Sequence, residues 1–186
     1  MLKNLPSFNG VNFINYFIIK EDREKMGVNL SPNSRTSKIL ASKDGETRYL
    51  EEIVTWVAES LDDTKILIVP FPSTNIDKPF SKQLPYLVAK RLNELSPNWV
   101  DGSGTIYRKT TLPKNTRDEA LQFESISLKP EKLKGFTNVL ILDDVVTSGS
   151  SLKAGLRVLS PFKLKVTALA IARKVHLTEI PKSGIY

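Results

Sequence analysis

The sequence predicts an α/β fold, in which a parallel sheet is flanked by helices on both faces. Two unbroken apolar runs, at residues 66–69 (ILIV) and 139–142 (VLIL), are typical of strands buried on both sides of such a sheet. A third strand pattern lies at residues 165–173. Amphipathic helical patterns at residues 46–61 and 80–95 separate these runs, and this alternation indicates strands joined through helices.

The chain of 186 residues suits a single domain with a substantial core. We place the α/β core at residues 46–180, with no linker or internal repeat. Residues 1–45 carry less information. Within them, residues 11–20 are rich in Phe, Tyr and Ile and predict a strand or a short buried element, and residues 35–41 predict a second strand.

Both predicted helices have an apolar face that can pack on the sheet. In the first, Asp44 or Thr47 is a candidate cap, and the apolar face consists of Leu50, Ile53, Val54, Val57 and Leu61. In the second, Ser81 is the candidate cap, and the apolar face consists of Leu84, Leu87, Val88, Leu92 and Leu95.

The region between the second helix and residue 139 is polar. Residues 99–111 predict a strand centred on Ile106. Residues 112–130 show no sustained period and predict a long loop, which in a compact domain is usually functional or disordered. A short helix at residues 118–123 is the alternative.

Composition excludes several kinds of site. The chain has no cysteine, so disulfides, thiol nucleophiles and cysteine zinc sites are excluded. Its one histidine, His176, is more typical of a surface or packing residue than of a catalyst. No apolar run approaches the roughly 20 residues needed to span a membrane. The N-terminus has no secretory pattern, and we therefore expect a cytoplasmic protein with no membrane partner.

The net charge of +7 favours a polyanionic partner. Nucleic acid is one such partner, and a small polyphosphate substrate is another. No block of five like charges occurs, and aromatic residues are not interleaved with basic ones. The small substrate is therefore the favoured interpretation.

The most informative stretch is residues 139–151, VLILDDVVTSGSS. Asp143 and Asp144 come where the strand should end, and a helix is predicted at residues 152–159. A hydroxyl-rich turn that opens a helix presents unpaired N–H groups to an anion such as a phosphate monoester. The turn consists of Thr147, Ser148, Gly149, Ser150 and Ser151. Gly149 lets the backbone approach a ligand closely.

Carboxylates beside a phosphate site need sugar hydroxyls or a hydrated cation as partners. A ribose 5-phosphate offers both a phosphate and vicinal hydroxyls. The alternative is that the acidic pair ends a strand and the hydroxyls start an ordinary helix. A cap, however, needs one such residue and not the whole series.

These thirteen residues resemble the signature of type I phosphoribosyltransferases, which bind phosphoribosyl pyrophosphate (PRPP). The resemblance implies that family's fold, with a small variable N-terminal hood over the acceptor site, here within residues 1–45. It implies that Asp143 and Asp144 hold the ribose hydroxyls and stabilise positive charge on the ring, and that residues 147–151 hold the 5′-phosphate. Mg²⁺ is expected mainly on the pyrophosphate, with Asp143 and Asp144 as further candidate ligands.

The resemblance also suggests where the pyrophosphate lies. In the family, the loop after the first core strand binds it largely through backbone N–H groups, and a mobile loop closes over PRPP. The matching candidates in the first loop are Ser73, Thr74 and Asn75. The basic candidates are Arg108 and Lys109 at a strand end, with Lys114 and Arg117 in the long loop. Each is also compatible with an ordinary loop or a solvated charge.

A second, looser resemblance concerns residues 79–84 (PFSKQL) and 87–92 (LVAKRL), which are similar to ComF-type phosphoribosyltransferases of bacterial competence. The cysteine zinc module usual in that family is absent here.

The predicted activity is transfer of the 5-phosphoribosyl group from PRPP to a nitrogen acceptor, usually a nucleobase, with release of pyrophosphate. The alternatives are a catalytically silent regulator that senses PRPP or a nucleotide, or a ComF-type accessory protein that binds nucleic acid or a protein. Basic residues clustered around residues 139–151 favour the enzyme, and a basic stripe elsewhere favours the regulator. A homodimer is a further expectation, since dimers are common in the resembled family.

Overall fold

The computed structural model describes residues 2–18, 22, 34–43, 46–114 and 116–175. His176 and the end of the chain lie outside these residues. The strands are β1 (Ser7–Phe8), β2 (Val11–Ile18), β3 (Ile66–Pro70), β4 (Trp99–Asp101), β5 (Ile106–Arg108), β6 (Ile126–Leu128), β7 (Asn138–Val146) and β8 (Lys165–Val175). The α-helices are α1 (Arg35–Lys43), α2 (Leu50–Ser60), α3 (Leu84–Leu95), α4 (Glu119–Glu124) and α5 (Ser150–Leu159).

Within the described residues, six strands form one central sheet in the order β1-β2-β8-β7-β3-β4. All neighbours are parallel except β1 and β2, which are antiparallel. β5 and β6 form a separate antiparallel pair. The prediction of a mostly parallel sheet flanked by helices is confirmed.

The sheet has a hydrophobic core on each face. On one face α1, α2 and α3 bury Ile39, Ile53 and Val88 against residues that include Ile68 and Leu140. On the other face α5 and the antiparallel pair β5–β6 bury apolar side chains against Leu67, Val69 and Ile141. The strand residues alternate between the two cores, as the period-two geometry of a strand requires. No helix in the described part of the chain is long and apolar enough to cross a bilayer.

The predicted apolar face of the first helix is confirmed, because Leu50, Ile53, Val54, Val57 and Leu61 are all buried. Its start was predicted four residues too early. α2 begins at Leu50 with no side-chain cap, and Leu50 N–H donates to the main-chain carbonyl of Thr47. The other candidate cap, Asp44, lies outside the described residues.

The second helix also starts later than predicted. Residues Phe80–Lys82 form a 3₁₀ turn, and α3 begins at Leu84 after Gln83, without a cap from Ser81. Leu95 was assigned to the apolar face, but it is 56% exposed because the helix ends there, beyond the edge of the core.

Residues 35–41 were predicted as a strand, which is wrong. They lie in α1, where Ser34 Oγ accepts a hydrogen bond from Ser37 N–H at 3.2 Å, the usual start of a helix. The buried residues are Thr36, Ile39 and Ser42, a spacing of three that suits a helix.

The described part of residues 1–45 does not stand apart from the sheet. The strand predicted at residues 11–20 is present as β2, which pairs with β8. β1 and β2 meet at Asn9 and Gly10, both with positive φ, as a two-residue hairpin turn requires. The part expected to be a hood therefore supplies two strands of the sheet as well as α1.

The region after α3 holds more structure than predicted. Residues 99–111 contain two strands, of which β4 joins the central sheet and β5 does not. The predicted loop at 112–130 contains α4 and β6. Asp118 starts α4 by accepting hydrogen bonds from the N–H groups of Ala120 and Leu121. The short helix was therefore the better of the two interpretations.

Candidate functional site

A cavity of about 450 Å³ opens at the carboxyl edge of the sheet, next to the junction of β3 and β7. The strand order reverses there, since the chain continues from β3 to β4 on one side and from β7 to β8 on the other. The two connecting loops diverge and leave a crevice, which is where ligands bind in open α/β sheets.

The acidic pair was predicted to end the strand, but it lies within the strand. β3 ends at Pro70, opposite Leu142, while β7 continues to Val146 and stays paired with β8. Asp143 and Asp144 therefore lie beyond the end of β3 and border the cavity.

Most predicted site residues line this one cavity. They are Ser73, Thr74, Arg108, Lys114, Arg117, Asp143, Asp144, Thr147, Ser148, Gly149, Ser150 and Ser151. Asn75 and Lys109 are exposed and lie outside the lining. The structure adds residues that were not predicted, among them Phe17, Lys43, Lys78, Gln83 and Lys174.

The turn at residues 147–151 presents unused backbone donors. α5 begins at Ser150 without a side-chain cap. Lys153 N–H donates to the carbonyl of Gly149, but the N–H groups of Ser148, Gly149, Ser151 and Leu152 make no hydrogen bond to another described residue. Ser148 Oγ and Ser150 Oγ lie 2.9 Å apart. Donors grouped at a helix start form a site that suits an anion.

Glycine is required at position 149 by the backbone conformation and not by a lack of space for a side chain. Its φ is +83°, which favours glycine. A Cβ atom there would meet no atom closer than 3.6 Å, at Val11.

The two carboxylates have different surroundings. Burial, together with the charge of Asp144, raises the pKa of Asp143 to about 7, although the Asp144 N–H, Lys43 and Arg108 act in the opposite direction. The side chain of Asp144 forms an ion pair with Lys43, with Nζ 3.0 Å from Oδ2. Lys43 therefore joins α1 to the acidic pair.

The loop after β3 uses most of its own backbone donors. Ser73 N–H donates to Gln83 Oε1, Asn75 N–H to Ser73 Oγ, and Ile76 N–H to Thr111 Oγ1. Thr74 N–H makes no hydrogen bond to a described residue. The resemblance implies that this loop binds mainly through N–H groups, but here Thr74 offers the one unused N–H among residues 73–78, beside the hydroxyls of Ser73 and Thr74.

Arg108 is half-buried and joins three segments. Its guanidinium donates to the carbonyls of Ser73 at 2.8 Å and Pro72 at 3.1 Å, and to Ser125 Oγ. It also lies over the Phe71 ring, 5.5 Å from the centroid. Burial lowers the pKa of Arg108 to about 10, with Asp143 acting in the opposite direction. Arg108 therefore holds the loop after β3 in place.

The cavity is strongly basic. Among the described lining residues, two carboxylates, Asp143 and Asp144, face six cationic side chains, namely Lys43, Lys78, Arg108, Lys114, Arg117 and Lys174. Lys43 pairs with Asp144, Lys78 donates to the carbonyl of Lys43 at 3.3 Å, and Arg108 is held as described. Lys114, Arg117 and Lys174 form no ion pair with the residues that the structure describes.

The carboxylates fit a cation that brings ligands of its own. Among the described residues, no three His, Cys, Asp or Glu side chains are grouped to hold a metal. Mg²⁺ is often bound by one or two carboxylates together with substrate phosphates and water. Asp143 and Asp144 suit that arrangement.

Sequence reasoning missed the contributions of β2, α1 and the end of β8. Phe17, Lys43 and Lys174 belong to no motif, and tertiary structure alone brings them to the cavity. A signal did exist for the first hairpin, because Asn-Gly between short apolar segments predicts a two-residue turn.

Comparisons with known proteins give little sequence similarity. No family model matches the chain, and no curated protein matches it. Among solved structures, the chain is similar to the adenine phosphoribosyltransferase of Leishmania tarentolae, with a TM-score of 0.43 and 10% identity. That alignment covers 77% of this chain and 89% of the other.

Proposed function

We propose that this protein is a phosphoribosyltransferase, which binds PRPP and transfers its 5-phosphoribosyl group to a nitrogen acceptor with release of pyrophosphate. The observation that carries the proposal is the meeting of the acidic pair and the unused N–H groups of the turn in one basic cavity. A phosphate, vicinal hydroxyls and a pyrophosphate each find a complementary group there.

The turn is the proposed site of the 5′-phosphate. Its N–H groups and hydroxyls converge at the start of α5, where the helix dipole contributes only about 0.3–1 kcal/mol. Most of the affinity is therefore expected from hydrogen bonds, which contribute roughly 1.5–3 kcal/mol each when one partner is charged.

Asp143 and Asp144 are the proposed partners of the ribose hydroxyls. They lie in β7, separated from the turn by two residues, so the acidic pair and the turn border the same cavity. The negative charge of Asp144, and that of Asp143 above its raised pKa of about 7, also stabilises the positive charge that develops on the ribose ring as pyrophosphate leaves.

The pyrophosphate is proposed to lie between the loop after β3 and the segment before α4. These two segments are joined, since Leu112 N–H donates to the carbonyl of Thr74 at 2.9 Å. Lys114 and Arg117 supply charge, whereas Arg108 positions the loop. Mg²⁺, when bound with the pyrophosphate, neutralises part of its charge. The main catalytic effects are then positioning and electrostatic stabilisation.

Nucleic-acid binding is the weaker alternative. A stripe of basic residues away from the acidic pair would favour nucleic-acid binding, but six cationic side chains line the cavity itself. This clustering favours a small polyanionic ligand.

Calorimetry with PRPP and Mg²⁺ tests the proposal. We expect the wild type to bind, and Asp143→Ala/Asp144→Ala to bind at least about 10-fold more weakly, because two hydrogen-bonding partners are lost. The matched control is Asp62→Ala/Asp63→Ala, an acidic pair just before β3, at the amino edge of the sheet. A folded wild type that does not bind PRPP contradicts the proposal. Binding without pyrophosphate release from any acceptor favours the regulator.

A further inference from the structure

The cavity has a second side, away from the turn and the loop after β3. Phe17 comes from the end of β2, Lys174 from the end of β8, and Lys43 from the end of α1. Phe17 and Lys174 are register partners across the β2–β8 pair, so the two residues are adjacent. We call Phe17, Lys43 and Lys174 the α1 side.

The cations divide between the two sides. Lys114 and Arg117 lie in the segment that is hydrogen-bonded to the loop after β3, on the side proposed for pyrophosphate. Lys174 lies on the α1 side, on a different element. PRPP bound as proposed places no phosphate there, so the charge of Lys174 has no counterpart in PRPP.

The α1 side combines an aromatic face with one ammonium group that no described carboxylate neutralises. The charge of Lys43 is already matched by Asp144 at 3.0 Å. Phe17 is half-buried and lines the cavity, and it offers a surface on which a flat ring can pack. Lys174 offers a partner for an anionic substituent on that ring.

We infer that the acceptor is a flat nitrogen heterocycle that carries a carboxylate. Its ring packs against Phe17, and its carboxylate faces Lys174. This inference rests on the proposed function, and it specifies the acceptor that the proposed function leaves open.

The transfer balances with such an acceptor. The lone pair of a ring nitrogen forms a bond to C1 of the phosphoribosyl group, and the C1–O bond to pyrophosphate breaks with its electron pair on the departing pyrophosphate. A pyridine nitrogen carries no proton, so the product is a pyridinium nucleotide. A ring N–H acceptor releases its proton to solvent.

The test compares acids with uncharged analogues of the same ring. The pairs are pyridine-3-carboxylate with pyridine-3-carboxamide, and uracil-6-carboxylate with uracil. Pyrophosphate release gives kcat and KM for each, and calorimetry gives the affinity of each heterocycle. In at least one pair we expect a preference of about 10-fold or more for the acid, seen in KM and affinity. The reason is that only the acid can form a charge-assisted hydrogen bond between its carboxylate and Lys174.

Variants of Lys174 locate the preference. Lys174→Gln should remove it, and Lys174→Arg should retain it. Lys165→Gln, which removes an exposed lysine at the opposite end of the same strand, should leave it unchanged. Equal use of acid and analogue in both pairs overturns the inference, as does a preference that Lys174→Gln leaves intact. PRPP calorimetry separates the two proposals, because PRPP binding without an acid preference overturns the inference alone.

Discussion

Asp143 has the most unusual ionisation in the cavity. Its ordinary pKa of 3.8 is raised to about 7 by burial and by the adjacent charge of Asp144. The folded protein therefore holds a proton in a pH range where the unfolded chain has released it. The contribution of Asp143 to folding stability consequently falls as pH rises from about 4 to 7, since the slope follows the difference in bound protons.

Replacing Asp143 with a side chain that does not titrate should remove this loss of folding stability. We expect Asp143→Asn to be more stable than the wild type at pH 8 by about 1–3 kcal/mol, given about 1.4 kcal/mol per pKa unit and some solvent screening. At pH 4 the two proteins should be nearly equal. Urea unfolding at both pH values measures the difference. Asp63→Asn, an exposed carboxylate, is the control, and an equal gain from it at pH 8 would contradict the assignment to Asp143.

At the scale of elements, Arg108 links the end of β5 to the loop after β3 and to Ser125, just before β6. Its planar fork reaches two carbonyls and a hydroxyl together. Lysine has a single ammonium group on a flexible stem and cannot reproduce this geometry. The partly buried carbonyls of Pro72 and Ser73 would then lose a donor, which costs free energy.

Arg108→Lys should therefore lower the free energy of unfolding by about 1–3 kcal/mol. PRPP binding should weaken as well, since the loop that carries Ser73 and Thr74 loses its support. Urea unfolding and calorimetry give the two readouts. Arg91→Lys is the matched control, because Arg91 makes exposed ion pairs with Glu51 and Glu94. Similar losses in both variants would show that Arg108 has no special role.

At the level of the whole chain, a ligand in the cavity would contact segments that are distant in sequence. The cavity joins residues from β2, α1, the loop after β3, the segment before α4, and the strand and turn around residue 146. A ligand that binds only the folded state stabilises it by about 2.7 kcal/mol at 100 times its Kd. For a protein of this size, each kcal/mol raises Tm by roughly 2–4 °C.

PRPP with Mg²⁺ should accordingly raise Tm by about 5–10 °C at that concentration. The increase should shrink as NaCl rises from low to high ionic strength, because exposed cations such as Lys114 and Arg117 are screened. Thermal unfolding with and without ligand at each salt concentration measures this. An increase that does not depend on salt would contradict the role of these exposed cations.

Local patterns in the sequence predicted the parallel sheet and twelve of the residues that line the cavity. The apolar runs of β3 and β7 are each unbroken in sequence. The acidic pair directly follows the run in β7, and the turn begins three residues after Asp144. Such patterns can be identified without knowledge of the fold, because strand burial and helix starts depend on neighbouring residues. The wrong predictions also concerned local structure: α1 was predicted as a strand, and the starts of α2 and α3 were placed too early.

The packing of the whole chain brings distant residues to the acidic pair and the turn. Lys43 forms an ion pair with Asp144, about one hundred residues away in the chain. The Arg108 guanidinium donates hydrogen bonds to backbone carbonyls and does not extend into solvent. Phe17 and Lys174 are adjacent because β2 pairs with β8. Strand order and register set these contacts, and both follow from how the whole chain packs. Local sequence therefore specifies the class of fold and the acidic pair with its turn, whereas packing sets which residues surround them.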